Sequence, residues 1–187
     1  MQTILTIERL WNGADALERE RAAVAVGWVP GGLRIEVDAP FHGDPAPPAR
    51  PGPCDRLWEF EVVEVFLAGA SSPGAPQPYT EVELSPHGHY LVLRLLGVRN
   101  PVDLALPLAF RAEIEGARWR GRAVVPFDYL PAGELTGNAY SIHGVGPRRR
   151  YLAAHAVPGE RPDFHQLQHF APLALGPREA GAERRGC

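Results

Sequence analysis

The chain has 187 residues, 45% of them hydrophobic and 22% charged, with a formal net charge of -3. That length suits one well-filled core, and that balance is the one of an ordinary globular protein, which excludes a disordered or fibrous chain. All 19 basic residues are arginine and the only basic run is Arg148-Arg149-Arg150, too short for a nucleic-acid stripe, so nucleic acid is excluded as a partner.

The first segment, Met1 to Trp11, lacks the basic start, long apolar stretch and cleavage site of a secretory signal, and no run of about 18 apolar residues follows anywhere. A cytoplasmic protein with no membrane partner is expected. Cys54 sits in a Pro-rich loop and Cys187 is the last residue, so two free thiols are expected, without a disulfide framework or a CxxC motif.

Apolar residues recur with period two in short runs, and the 20 Gly and 20 Pro cluster between those runs. Residues 2–11 open the chain. Glu18 to Arg21 reads as a brief helical turn, and the runs Ala22 to Val29 and Leu33 to Ala39 flank a turn at Pro30-Gly31-Gly32. Pro40 to Arg56 is a long loop rich in Pro, Gly and Asp, of the kind that sits beside sites. Phe60 to Leu67 is a dense apolar strand interrupted by Glu61 and Glu64, and Ala68 to Pro78 links it to the next strand.

Tyr79 to Ser85 and Tyr90 to Leu96 then form a hairpin. With His87-Gly88 as a two-residue turn, Leu84 faces Leu91, Val82 faces Leu93 and Thr80 faces Leu95 on an apolar side. The other side carries Glu81 opposite Arg94, Glu83 opposite Val92 and Ser85 opposite Tyr90, a polar surface with one cross-strand ion pair. A further hairpin with its turn at Glu115-Gly116 sets Trp119 opposite Ala112 and Arg118 opposite Glu113. Pro126 to Leu130 reads as a short turn of helix, and Asn138 to Gly146 and Tyr151 to Val157 as two more strands. Pro177 to Cys187 is polar, Gly-rich and expected to fray. Nine or ten alternating strands with long connections predict an all-β fold, a two-sheet antiparallel β-sandwich over residues 1–176 with a flexible tail over 177–187.

The segments Leu57 to Leu67 and Tyr79 to Gly88 resemble the central strands of family 9 carbohydrate-binding modules, as do Val125-Pro126-Phe127 and Pro162-Asp163-Phe164-His165. Asp44-Pro45, Gly97 to Asn100 and Ile142-His143-Gly144 are similar to a family of short, uncharacterised single-domain proteins of bacteria and animals with the same DOMON-like sandwich. The resemblance covers about residues 3–175. It implies a concave sheet that holds a sugar by aromatic stacking and polar hydrogen bonds, often beside a structural calcium ion.

Each candidate residue has a structural reading beside the functional one. Glu64, between Val62 and Phe66, needs a partner; it is either a ligand-facing acceptor with Glu81, Glu83 and Arg94 or a member of an ion-pair network. Trp58 is either a stacking platform or a core tryptophan, like Trp28 and Trp119. His87, His143 and His165 fall in family-like segments but are too far apart in sequence to define a metal set; His165 reads as a loop anchor. Asp44, Asp55 and Asp163 are loop carboxylates that the resemblance offers to calcium. Arg94, Arg99, Asn100, Arg148 and Arg149 are able to hold an anion or lie solvated.

The leading expectation is a module that binds a sugar or other small polar ligand through Trp58, Glu64, Glu81, Glu83, Arg94, Arg99, His143 and His165, without a catalytic residue. The alternatives are an enzyme using a Glu/His/Arg constellation on the same face and a protein-interaction module. Met/His haem ligation is excluded because Met1 is the only methionine. Metal ligands and oligomeric state are not legible.

Overall fold

The computed structural model describes residues 1–178. Fourteen strands follow in chain order: β1 (Gln2–Ile7), β2 (Arg9–Leu10), β3 (Ala22–Val29), β4 (Gly32–Pro40), β5 (Gly52–Pro53), β6 (Val62–Ala68), β7 (Pro78–Leu84), β8 (His89–Leu96), β9 (Pro101–Asp103), β10 (Ala109–Glu115), β11 (Arg118–Pro126), β12 (Thr136–His143), β13 (Arg150–Ala153) and β14 (Ala171–Pro172). The strands beyond the nine or ten expected are two or three residues long. Single 3-10 turns at Glu18–Glu20 and Phe127–Tyr129 stand where helical turns were expected. Of the expected tail, residues 179–187 lie outside the described residues, whereas Arg178 donates to the Pro131 carbonyl and lies over the Trp28 ring.

Two sheets result, as the alternation predicted. The smaller runs β1-β3-β4-β11-β10 and the larger β2-β13-β12-β6-β7-β8-β5, with β14 beside β12 and β9 beside β8. All pairings are antiparallel except the two-residue β5 against β8. Alternate residues of the two sheets, among them Leu33, Ile35, Trp119, Val63, Val65, Val82, Leu84 and Val92, interlock as the core. Each buried aliphatic side chain of this kind contributes roughly 1.5–3 kcal/mol. Close approach sets one identity: a Cβ on Gly32, where β4 starts, would lie 2.0 Å from the Val125 carbonyl oxygen.

The hairpin of β7 and β8 corrects the expected register by one residue. Glu81 pairs with Leu93, Glu83 with Leu91 and Thr80 with Arg94. The cause is the turn. Ser85 and His89 close a three-residue loop, in which Gly88 alone takes a positive φ, 80°, while Pro86 and His87 keep negative values. That is a type I turn with a glycine bulge, the geometry a leading proline favours. A one-residue slip exchanges faces, so Arg94 leaves the side of Glu81 and pairs with Asp103 at 3.0 Å.

The β10–β11 hairpin turns at Gly116-Ala117, pairing Ile114 with Trp119 and Glu113 with Arg120. This is a shift of two from the expected register, which keeps every side chain on its predicted face.

The larger sheet is covered on its outer side as well. A second cluster there, including Leu57, Val62, Phe66, Tyr79, Leu91, Tyr140, Ile142, Phe164 and Phe170, packs the loop before β6 and the return after β13 against the sheet. All seven residues of β6 are consequently buried.

Candidate functional site

The site grows from strand geometry. Glu81 and Glu83 are two apart on β7 and share its outer face, and Glu64 on β6 lies directly opposite Glu83. The three carboxyl groups each offer an oxygen within 4.8 Å of the others, and all three residues are buried. Above them lies a cavity of about 320 Å³ whose wall includes Glu64, Glu81, Trp58, Arg99, Tyr151, Phe164 and His165. Glu83 adjoins Glu64 and Glu81 outside the cavity wall, fully buried; the Trp58 backbone N–H draws near it, but neither of its oxygens is in a well-formed hydrogen bond, and one oxygen of Glu81 is likewise without a partner.

Burial dominates the electrostatics. It pushes the carboxyls of Glu64 and Glu83 well above the usual range, and the neighbouring charges of the trio push them further, against the Arg149 charge at Glu64 and the Trp58 backbone N–H at Glu83. Burial pushes Glu81 up to about 8 against the opposing pull of Arg99. No arginine among the described residues forms an ion pair with the trio: Arg99 is joined to Asp163 at 2.7 Å, and Arg149 donates to the carbonyls of Gly144, Trp58 and Phe60.

His165 in the wall is held from behind by the buried Tyr79, 86 residues away in sequence and 2.7 Å away between Oη and Nδ1. The Arg99 backbone N–H donates to the Tyr79 oxygen at 3.0 Å. Burial pushes the phenol up to about 12, so its hydrogen stays in place to donate to Nδ1. Burial and then the Arg99 charge hold the His165 imidazole down to about 4. A neutral ring that accepts at Nδ1 carries its hydrogen on Nε2, which faces the Glu81 carboxylate at 4.0 Å. Asp163 accepts from both Arg99 and the His165 backbone N–H and ties the return segment to the β8–β9 turn.

Of the sequence-predicted residues, Trp58, Glu64, Glu81, Arg99 and His165 line the cavity together and Glu83 adjoins them. Trp58 is 41% exposed at the rim and not in the core, whereas Trp119 is buried in the core; Trp28 is half-buried and donates to the Gly176 carbonyl. Arg94 and His143 do not join. Arg94 is on the opposite face for the reason of register given above. His143 alternates with Ile142, so it faces the core side at the end of β12, where its Nε2 lies 3.4 Å from Glu20. There it stacks on His42 with ring centroids 3.5 Å apart. His87 is half-buried beside the ring of Phe41. The loop carboxylates Asp44 and Asp163 are engaged with the Gly144 N–H and Arg99, and Asp55 is exposed. Among the described residues the trio alone forms a set of three groups spaced to hold a metal ion.

The sequence reading missed Tyr79, Tyr151 and Phe164 in the site and the buried Glu20 and Glu61. Tyr79 was legible, since it precedes Glu81 by two on one strand. Glu61 accepts from the backbone N–H groups of His42 and Asp44 and pins the Pro-rich loop, which no local pattern signals.

Comparison with solved structures bears on the fold. The chain superposes on a protein of Bacteroides uniformis assigned provisionally to carbohydrate binding with a TM-score of 0.70 and 16% identity, covering 91% of this chain and 84% of that one. It superposes on a family 9 carbohydrate-binding module of Caldicellulosiruptor kristjanssonii in complex with cellotriose with a TM-score of 0.53 and 13% identity, over 94% and 84%. These likenesses show the β-sandwich that the sequence predicted. No family model matches the chain.

The sequence relatives are more specific. The chain is 39% identical over 177 residues to the UPF0462 protein C4orf33 homolog of Mus musculus, covering 90% of each. It is 40% identical over 171 residues to the Danio rerio homolog (86% of this chain, 85% of that one) and 38% identical over 172 to UPF0462 protein C4orf33 of Homo sapiens (88% and 84%). The chain belongs to the UPF0462 family.

Proposed function

We propose that the chain binds a polyhydroxylated small molecule of about one sugar ring in the cavity beside Glu64 and Glu81. The observation that carries this reading is the joining of an exposed indole, Trp58, to two buried acidic acceptors in one cavity of about 320 Å³. Pockets for small ligands run from about 300 to 1,000 Å³, so this one suits a single ring or the end of a chain and not a long polymer groove. Trp58 supplies a flat apolar face for the C–H side of a ring, and Glu64, Glu81 and His165 supply directional partners for its hydroxyls. The sandwich neighbour that holds cellotriose supports sugar as the ligand class.

The test is calorimetric titration and thermal shift with a panel of monosaccharides and disaccharides. A binder is expected that loses about tenfold or more in affinity, about 1.4 kcal/mol, in Trp58→Ala and in Glu81→Gln. A panel with no heat and no stabilisation at millimolar sugar overturns the reading.

A second reading, acid–base cleavage of a bound glycoside, is favoured by one contact, the 4.0 Å approach of His165 Nε2 to Glu81 beside the neighbouring acid Glu64. Release of the aglycone from aryl glycosides, abolished in Glu81→Gln, would establish it; its absence with intact sugar binding leaves the binding module.

A further inference from the structure

The geometry points to a divalent-cation site of hard oxygen ligands formed by Glu64, Glu81 and Glu83 at the floor of the cavity. Two observations of different kinds lead there. The first is spacing: three carboxylate oxygens within 4.8 Å of one another leave a centre that a Mg²⁺, Mn²⁺ or Ca²⁺ ion reaches at metal–oxygen distances of about 2.0–2.6 Å. The second is Glu83 itself, 0% exposed, beside the other two acids, with neither oxygen in a well-formed hydrogen bond and only the Trp58 backbone N–H drawing near. A carboxyl group so placed has lost water and receives from the protein only the approach of that backbone N–H, so it stays the neutral acid unless a cation takes the place of its proton.

The described residues supply no paired counter-charge. Arg99 is held by Asp163 and Arg149 by three backbone carbonyls, so both act on the trio only at a distance, and the neutral His165 ring stands 4.0 Å from Glu81. An organic ammonium is a poorer answer than an ion. An amine entering through the cavity meets Glu64 and Glu81 in the wall, but Glu83 adjoins them outside the wall, where a group on a stem does not reach. A bare ion has no stem and is able to sit among all three. The donor set contains oxygen only, which suits Mg²⁺, Mn²⁺ or Ca²⁺ over softer metals. Glu64 and Glu81 also face the cavity, so water or a ligand hydroxyl completes the coordination from that side; in that one respect the inference rests on the proposed sugar pocket.

The origin is local. An acid at alternate positions of β7 and one acid opposite on β6 is all that the sheet needs to converge three carboxylates.

The experiment is titration of EDTA-treated protein with Mn²⁺, followed by the electron paramagnetic resonance signal of the free ion, with Ca²⁺ and Mg²⁺ as competitors. One bound equivalent is expected, displaced by excess Ca²⁺ or Mg²⁺, weakened about tenfold or more in Glu83→Gln and unchanged in Arg94→Ala. Should Glu83→Gln lose its fold by circular dichroism, wild-type protein provides the decision through a rise in melting temperature with millimolar Ca²⁺ or Mn²⁺ over EDTA. Absence of bound Mn²⁺ and of that rise, or Mn²⁺ binding that survives unaltered in a folded Glu83→Gln, overturns the ion. Sugar binding that persists in EDTA then leaves the pocket reading standing. Mn²⁺ uptake lost in Glu83→Gln, with no sugar response in the panel, supports the ion and overturns the sugar reading instead.

Discussion

The two faces of the larger sheet are both buried, and they are buried for different purposes. Along β7, Val82 and Leu84 point into the core between the sheets, while Tyr79, Glu81 and Glu83 point outward under the second cluster. The inner face closes mainly with apolar groups, and of its few buried polar ones Thr80 and His143 meet the Tyr129 carbonyl and Glu20. The outer face encloses three carboxyl groups, with one oxygen of Glu81 and both of Glu83 outside any well-formed hydrogen bond, a composition that costs stability and that packing alone does not explain. Burial therefore does not separate scaffold from site in this molecule; the pairing of the buried polar atoms does.

The adjacent residues Leu84 and Glu83 allow this contrast to be broken most sharply. Leu84→Ala leaves a void in the inner face and is expected to cost ~2–5 kcal/mol in urea unfolding. Glu83→Gln, one residue away and equally buried, is expected to raise the unfolding midpoint of EDTA-treated protein, because it removes a buried acid whose charged form has no paired cation among the described residues. If both variants lose several kcal/mol, Glu83 is part of the scaffold and the distinction between the faces fails.

The inner face was legible in the sequence because a core face needs only period two. Val63, Val65, Val82 and Leu84 alternate with other residues, and no detail of the turns is required to set them on one face; Val92, expected on the polar side opposite Glu83, comes inside only through the corrected register, in exchange for Leu91 and Leu95. The outer face depended on register and on long-range cover. Register turned on Pro86-His87-Gly88, where glycine at the third loop position signals a bulged three-residue loop; reading a two-residue turn moved Arg94 beside Glu81 and made an open charged surface out of a closed acidic one. The cover was beyond local pattern. The segment around Phe164 and His165 has no periodicity, and its attachment depends on Tyr79 meeting His165 across 86 residues. Glu64 stood out for the opposite reason: an acid inside a dense apolar strand is conspicuous whichever face it takes.

Acid sensitivity separates a second polar cluster from the trio. His42 is held down to about 4, first by burial and then by the charge on His143, with Asp44 and Glu20 opposing and Arg19 adding to the shift. An unfolded histidine titrates near 6.5, so between pH 6.5 and 4 the unfolded chain takes up a proton that the folded one refuses, and stability falls as pH falls through that window. His143 is lowered by burial as well and adds to the loss. In His42→Phe, which retains the stack without a titrating ring, the decline in melting temperature between pH 6.5 and 4 is expected to be shallower. An unchanged slope would assign the acid sensitivity elsewhere.

The smallest effect belongs to Arg94, and it tests the register directly. Its guanidinium meets Asp103 at 3.0 Å with both side chains more than a third exposed, a setting in which an ion pair contributes ~0.2–1 kcal/mol. Arg94→Ala is accordingly expected to change stability by no more than that and to leave both sugar affinity and Mn²⁺ uptake as in the wild type. A loss of ligand affinity in Arg94→Ala would bring the arginine back to the side of Glu81. It would also require the β7–β8 hairpin to pair one residue out of the register that Gly88 imposes.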